Sequence, residues 1–354
     1  MTTAAGDARL AGARLRSPVL IIGALVIALV AAAAIAATVG AAGIPLRRLP
    51  AALGLVPGDD AALTARDQLV LWSVRLPRIA LAVMIGALLA AGGTVMQGLF
   101  RNPLADPMLA GISPGAGFAS ALAIVVGDRI VASVPFEVLP VAAIVGALVT
   151  TIVLYRLATR SGRTSIATLL LASIAIGALA NAGIGFLVFL ADDRQLRDIT
   201  FWLLGSLGGA TWDKVAAIAP FVALLLGGLP FIARGLDLIV LGEAEAFHMG
   251  VAVERLKRIA IVLVAAATGA AVSVAGVIGF VGIVVPHLLR LVIGPGHRLL
   301  LPAALILGAI LLLVADTFAR VIAAPAELPI GIVTAAIGAP FFLSLLLRQR
   351  ALVG

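Results

Sequence analysis

The chain has 354 residues, of which 62% are hydrophobic and 12% charged, with a formal net charge of +8 and no cysteine. A soluble domain carries about 25% charged residues to cover its surface, so this composition excludes a soluble fold and points to a bilayer as the solvent. The basic balance does not indicate nucleic-acid binding, because no soluble basic face exists to carry it, and the missing thiols exclude disulfides and cysteine chemistry.

Ten apolar runs are predicted as membrane spans, at about 18–42, 77–100, 107–127, 134–157, 164–190, 212–233, 256–274, 277–293, 300–322 and 329–347. A span needs roughly 20 apolar residues. Helices satisfy their own backbone in lipid, whereas an open sheet leaves its edges unpaired. The alternation of a barrel strand is absent. Arg9, Arg14 and Arg16 precede the first run and no small-residue cleavage pattern follows, so residues 1–17 are predicted to be a cytoplasmic tail. Residues 43–76 form a long outer segment. Between runs two and three, RNPLADP (101–107) breaks the helix with two prolines, and Asn102 before Pro103 is steered away from α geometry. Between runs four and five, Thr164 and Ser165 follow Arg163, and their hydroxyls are placed to cap the next helix.

The segment ITFWLLGSLGG, within 191–211, is too short to span, and Phe201 and Trp202 suit the interface. The longest inner loop, 234–255, contains LGEAEAFHMGV. Glu243, Glu245 and His248 are predicted on one face of a short helix, with Leu241, Ala244, Phe247 and Val251 opposite; Gly242 precedes it and Gly250 is a plausible C-terminal stop. Such a helix is either solvated at the interface or inserts into a partner's groove. The chain thus reads as an all-α polytopic membrane protein, one transmembrane domain over 1–354.

With the N-terminus inside, fifteen lysines and arginines fall in inner loops and ten in outer ones. That bias sets the orientation and returns the C-terminus to the cytoplasm. Arg78-Ile79-Ala80 opens the second run and Arg258-Ile259-Ala260 the seventh. Five spans apart, the copies start on opposite faces, as in an inverted repeat. Gln97, Asn181, Thr268 and Ser273 lie inside apolar runs, either joining helices or lining a path. The glycines at 276, 279 and 282 read as close helix packing. Glu327, before Leu-Pro, is placed to cap the last helices. Arg75 and Arg78 flank Pro77 at a helix start. There cations oppose the macrodipole, so either interfacial snorkelling or a partner's carboxylates must favour them.

Nucleotide binding through a P-loop needs GxxxxGK[ST]. The only lysines, Lys214 and Lys257, follow Thr-Trp-Asp and Glu-Arg-Leu without a glycine-rich lead, so this chain is not a nucleotide-binding subunit of that type. His248, His287 and His297 have no second ligand at metal spacing, and no nucleophile–base pair stands out.

The stretch RLPRIALAVMIGALLAAGGTVMQGLFRNPLADPMLAGISPGAG from Arg75 resembles the FecCD-type permease family, the membrane subunits of ABC importers for iron chelates and cobalamin. WLLGSLGGATW, LGEAEAFHMGV, GFVGIVVPHLLRLVIGPGHRLLLP, ADTFAR and ELPIGIVTAAIGAPFF follow in order. The resemblance implies a ten-helix, inverted-repeat type II importer fold in the bacterial inner membrane. It implies a second permease copy with the path along the dimer axis, two ATPase subunits carrying ATP and magnesium inside, and a periplasmic binding protein outside. This chain is then no enzyme and binds no cofactor. The resemblance assigns Arg75, Arg78 and Arg320 to binding-protein docking, and Asn102, Thr164 and Ser165 to the cytoplasmic gate. It assigns Leu241, Gly242, Glu243, Glu245, Phe247, His248 and Gly250 to ATPase coupling, and leaves Gln97 and Asn181 as possible path-lining residues. Residues 191–212 and 242–258 look most like haem importers, so haem is the favoured cargo, with a ferric siderophore or cobalamin as alternatives. An ion-coupled secondary transporter is the rival class. It should place acids inside the membrane, yet Asp106 falls in a loop and Asp316 near a helix end.

Overall fold

Long apolar stretches leave the backbone no hydrogen-bonding partner but itself, and helices follow. A computed structural model describes residues 18–40, 43–107, 111–127, 138–160, 163–324 and 326–353. The expected tail at 1–17 lies outside the described residues. Helix α1 spans Pro18–Thr38, α2 Leu49–Ala52 and α3 Ala61–Val70. Asp60 caps α3, accepting from the backbone N–H groups of Ala62 at 2.9 Å and Leu63 at 3.0 Å. A π turn, Leu71–Arg75, joins α3 to α4, Leu76–Phe100. Then come α5 (Ile112–Leu122), α6 (Val138–Ala158), α7 (Ile166–Leu190), α8 (Asp193–Leu204), α9 (Trp212–Ile239), α10 (Glu243–His248), α11 (Val253–Ala275), α12 (Val281–Ile293), α13 (His297–Ile322) and α14 (Ile330–Val353).

Three expectations change. Among the described residues, seven helices are long and apolar enough to cross a membrane, and the predicted run at 277–293 folds into a shorter apolar helix, Val281–Ile293. At 1.5 Å per residue, the 13 residues of α12 extend only about 20 Å, short of the roughly 30 Å core. The second change is that 61–75, within the predicted outer segment 43–76, is helical. It belongs to one helical rod, Ala61–Phe100, which the polar Arg66, Asp67 and Gln68 hid from a hydropathy reading. Thirdly, α6 and α7 are joined through a two-residue antiparallel ladder, β1 (Thr159–Arg160) against β2 (Arg163–Thr164).

The rod Ala61–Phe100 and α11 form the centre, each with 72% of its most apolar window buried, against 6% for α1. These are the helices whose openings share the Arg-Ile-Ala echo. Small residues allow α4 to touch its neighbours backbone to backbone. A Cβ on Gly86 would lie 2.3 Å from the Gly308 carbonyl oxygen of α13, and one on Gly308 would lie 2.3 Å from that of Gly86. Gly93 meets the Gly282 carbonyl of α12 in the same way, at 2.1 Å. The glycines at 276 and 282 pack closely, as expected: a Cβ at Gly276 would meet the Trp202 carbonyl at 2.0 Å. Interhelical packing of this kind holds membrane bundles together where lipid removes the hydrophobic drive.

The reciprocal α4–α13 contact predicts that Gly86→Val destabilises the bundle by more than the roughly 1–3 kcal/mol of ordinary overpacking, because the obstruction is rigid backbone. The check is thermal unfolding in detergent; a melting temperature within a degree or two of the parent would contradict it.

Candidate functional sites at the two ends of the bundle

One end of the bundle gathers Arg75, Arg78 and Arg320 around Asp316. Proline at the second position of α4 fixes its start and places Arg75 and Arg78 on one side. Arg78 Nε donates to Asp316 Oδ1 at 3.0 Å and Oδ2 at 3.1 Å, and its Nη1 donates to Glu327 Oε1 at 2.7 Å. Arg320, one turn beyond Asp316 on α13, brings its Nε to 3.2 Å from Asp316 Oδ2. Arg75 donates to the Ala37 carbonyl, and Arg320 Nη2 reaches the Ala36 carbonyl at 3.4 Å. Both carbonyls belong to the last turn of α1, where the macrodipole favours cations. The arginines at the unfavourable end of α4 are therefore held by the C-terminus of α1 and by Asp316.

Asp316, Arg75 and Arg78 are 1%, 3% and 6% exposed. The three arginines expected at a docking surface thus converge, but their guanidinium groups are already engaged within the chain. Glu327, expected to cap the last helices, pairs with Arg78 instead and is half exposed. The sequence reading missed Asp316 as the hub. Its i, i+4 spacing to Arg320 was the available signal.

The opposite end carries α10, the Asn102 loop and Thr164–Ser165. The α4 helix stops on Arg101 in left-handed conformation (φ 50°), with the Asn102 N–H donating to the Gln97 carbonyl at 3.2 Å. Asn102 Oδ1 accepts from the Leu104 N–H at 2.9 Å. Its side chain thus builds the turn that its sequence promised. Ser165 caps α7, accepting from the Thr168 N–H at 3.2 Å. Thr164 is buried, with its hydroxyl 3.0 Å from that of Thr159. In α10, Gly250 (φ 85°) ends the helix as predicted. Within α10 only Ala246 is buried, and of the residues expected on its apolar face Phe247 is 68% exposed, as is Leu241 just before the helix at 64%. Glu243 is drawn inward because it holds Lys257, 2.6 Å away. Glu245 and His248 are exposed.

Of the polar residues within spans, Gln97 is buried, donating to the Gly282 carbonyl at 3.0 Å and accepting from Arg290. Asn181 lies on the exposed side of α7, whose buried stripe is Leu169, Ser173, Gly177, Ala180, Ile184 and Leu187. Ser273 donates to the Ala270 carbonyl at 2.8 Å. His297 pairs with Asp237 at 2.7 Å between Nδ1 and Oδ1, joining α13 to α9. Among the described residues no group of three or more His, Cys, Asp or Glu side chains converges as a metal site.

Asp316→Asn would leave two arginines without their shared buried charge. Removing one partner of a buried ion pair costs about 3–5 kcal/mol, so the variant is expected to unfold several degrees earlier in detergent; unchanged stability would contradict the hub role.

Known proteins give this geometry a family. Residues 25–348 match the model of the FecCD transport family. The chain is 44% identical over 344 residues to the hemin transport system permease protein HmuU of Yersinia pestis, covering 94% of this chain and 97% of that one. It is 44% identical over 283 residues to the cobalamin import system permease protein BtuC of Halobacterium salinarum, covering 80% and 74%. A solved inward-facing structure assigned to the metal-chelate type of ABC transporter superposes with a TM-score of 0.81 at 32% identity, covering 93% of this chain and 99% of that one. With its helical bundle and its polar clusters confined to the two ends, this multi-pass membrane chain belongs to the FecCD transport family, the permeases of ABC importers.

Proposed function

We propose that this chain carries an iron chelate, haem in preference to a ferric siderophore, from a periplasmic binding protein into the cytoplasm as one half of an ATP-driven importer. The observation that carries this reading is the full-length relation to a hemin permease. Cobalamin is the second reading, favoured by the equal identity of the relative named for it over a shorter span. In the proposed arrangement ten helices cross or enter the inner membrane with both termini cytoplasmic. The Arg75–Arg78–Arg320 end faces the periplasm, and the α10 end faces the cytoplasm. A second copy covers the open face of α7, where Leu171, Ile174, Leu179, Phe186 and Phe189 are 60% or more exposed, and Asn181 lines the path there. Gln97, engaged inside the protomer, contributes to the path by holding α12.

Docking at the periplasmic end has a specific constraint. Arg75, Arg78 and Arg320 are internally paired, so an incoming carboxylate acts by competing with the half-exposed Glu327 for Arg78. At the cytoplasmic end Leu241, just before α10, and Phe247 on it stand out with no apolar cover. Beside them a cleft of about 500 Å³ runs between α9 and α11, lined by Phe231, Met249, Val251 and Arg255. An ATPase subunit, which would hold the ATP and magnesium, is the partner proposed for this end. Asn102, Thr164 and Ser165 frame the inner mouth.

Reconstituted with its ATPase and binding protein in liposomes, the chain is expected to take up haemin only with ATP, and cyanocobalamin in excess should not compete. Uptake that follows a proton gradient and ignores ATP would sink the reading; competition by cyanocobalamin would favour the second one. Phe247→Ala, a change at an exposed side chain, is expected to weaken ATPase co-purification about tenfold or more, the scale of an aromatic anchor, with no change in thermal stability; co-purification at the parental level would remove α10 as the docking element.

A further inference from the structure

Lys257 lies in the first turns of α11, is 1% exposed, and is assigned no site role by the sequence. An ammonium has three donors, and here each goes to a different element. Lys257 Nζ donates to Glu243 Oε2 of α10 at 2.6 Å, to Glu254 Oε1 of α11 at 3.1 Å, and to the Thr164 carbonyl of β2 at 2.9 Å. Glu254 closes the loop, its Oε2 accepting from the Thr164 N–H at 2.9 Å. Both peptide groups of Thr164 therefore end in the same charged clasp. The next residue, Ser165, is the cap of α7. One buried nitrogen thus ties α10, the base of α11 and the entrance to α7.

A buried charge left without its partners is heavily penalised. A shift of α10 that moves Glu243 must carry Lys257 with it or strand that charge, and Lys257 in turn holds Thr164. The two acids are one-third or more exposed on their outer sides, so a subunit seated on α10 would exclude water there and tighten the clasp.

We propose that Lys257, with Glu254, is a positioning pair that transmits displacement of α10 to the Thr164–Ser165 turn, so that the mouth beside α7 moves with ATPase engagement. This rests on the reading of α10 as the ATPase contact and of Thr164–Ser165 as part of the inner mouth. The clasp is the mechanical link between them, and it requires no change in the hydrolysis site.

The test uses the full complex with its ATPase in nanodiscs and liposomes, comparing the parent with Glu254→Gln, which keeps shape and removes charge, and Glu254→Asp, which keeps charge. Amide hydrogen exchange is read over 243–248 and 163–168 with and without ATP, and haemin uptake is divided by ATP hydrolysed. In the parent both segments should respond to ATP. In Glu254→Gln the response at 243–248 should persist and that at 163–168 should vanish. Uptake per ATP should fall at least about fivefold, the lower end of typical coupling between sites, and Glu254→Asp should recover most of it. A parental response at 163–168 in Glu254→Gln overturns the clasp alone. So does a proportionate fall of assembly, hydrolysis and uptake with their ratio unchanged, which is what a merely structural role would give. A parent whose 243–248 segment is not protected by the ATPase overturns the docking reading, and the clasp with it.

Discussion

Inside an apolar bundle a charge survives only where an opposite charge or a helix-end carbonyl lies within hydrogen-bonding reach, and that constraint arranges this molecule. Two clusters of buried ionic groups show it. Arg75, Arg78, Arg320 and Asp316 close one end around the C-terminal carbonyls of α1. Lys257, Glu243, Glu254 and Thr164 close the other. Between them, the buried lengths of α4 and α11 are mainly alanine, leucine, valine and glycine.

The middle is held by proximity. Gly86 against Gly308 and Gly93 against Gly282 bring backbones together where any side chain would stand between them. Dispersion and the close fit of main chains supply there what apolar burial supplies in water. The result is a stiff centre with polar fastenings at its ends, a division that suits a subunit worked from outside. A partner can act on an end, and helices that touch along their backbones pass the displacement on with little room to absorb it.

The same economy explains why the arginines are poor free contacts and yet remain candidates for docking. Their charge is matched within the chain by Asp316, but the second acid on Arg78, Glu327, is half exposed. At the other end the polarity is reversed: the cation Lys257 is sealed, and the acids Glu243 and Glu254 that hold it keep about a third of their side-chain surface exposed. Each end therefore offers a partner the more accessible members of an internal ion cluster.

Much of this was legible in the chain itself. Uninterrupted apolar runs dictated helices, because a backbone in lipid must bond to itself; the prolines and Asn102 of RNPLADP dictated a break; Gly250 dictated a stop; Ser165 dictated a cap. The lack of a glycine-rich phosphate loop excluded one type of nucleotide binding, and ordered motifs pointed to the family. Partnerships between residues far apart were beyond it. Arg78 meets Asp316 across 238 positions, and Lys257 meets Thr164 across 93. Local spacing carries no information about which distant helix end will lie alongside. The inward turn of Glu243, the exposure of Phe247, and the continuation of α4 back to Ala61 were likewise settled only when the helices packed, because burial is a property of neighbours and not of the residue that is buried.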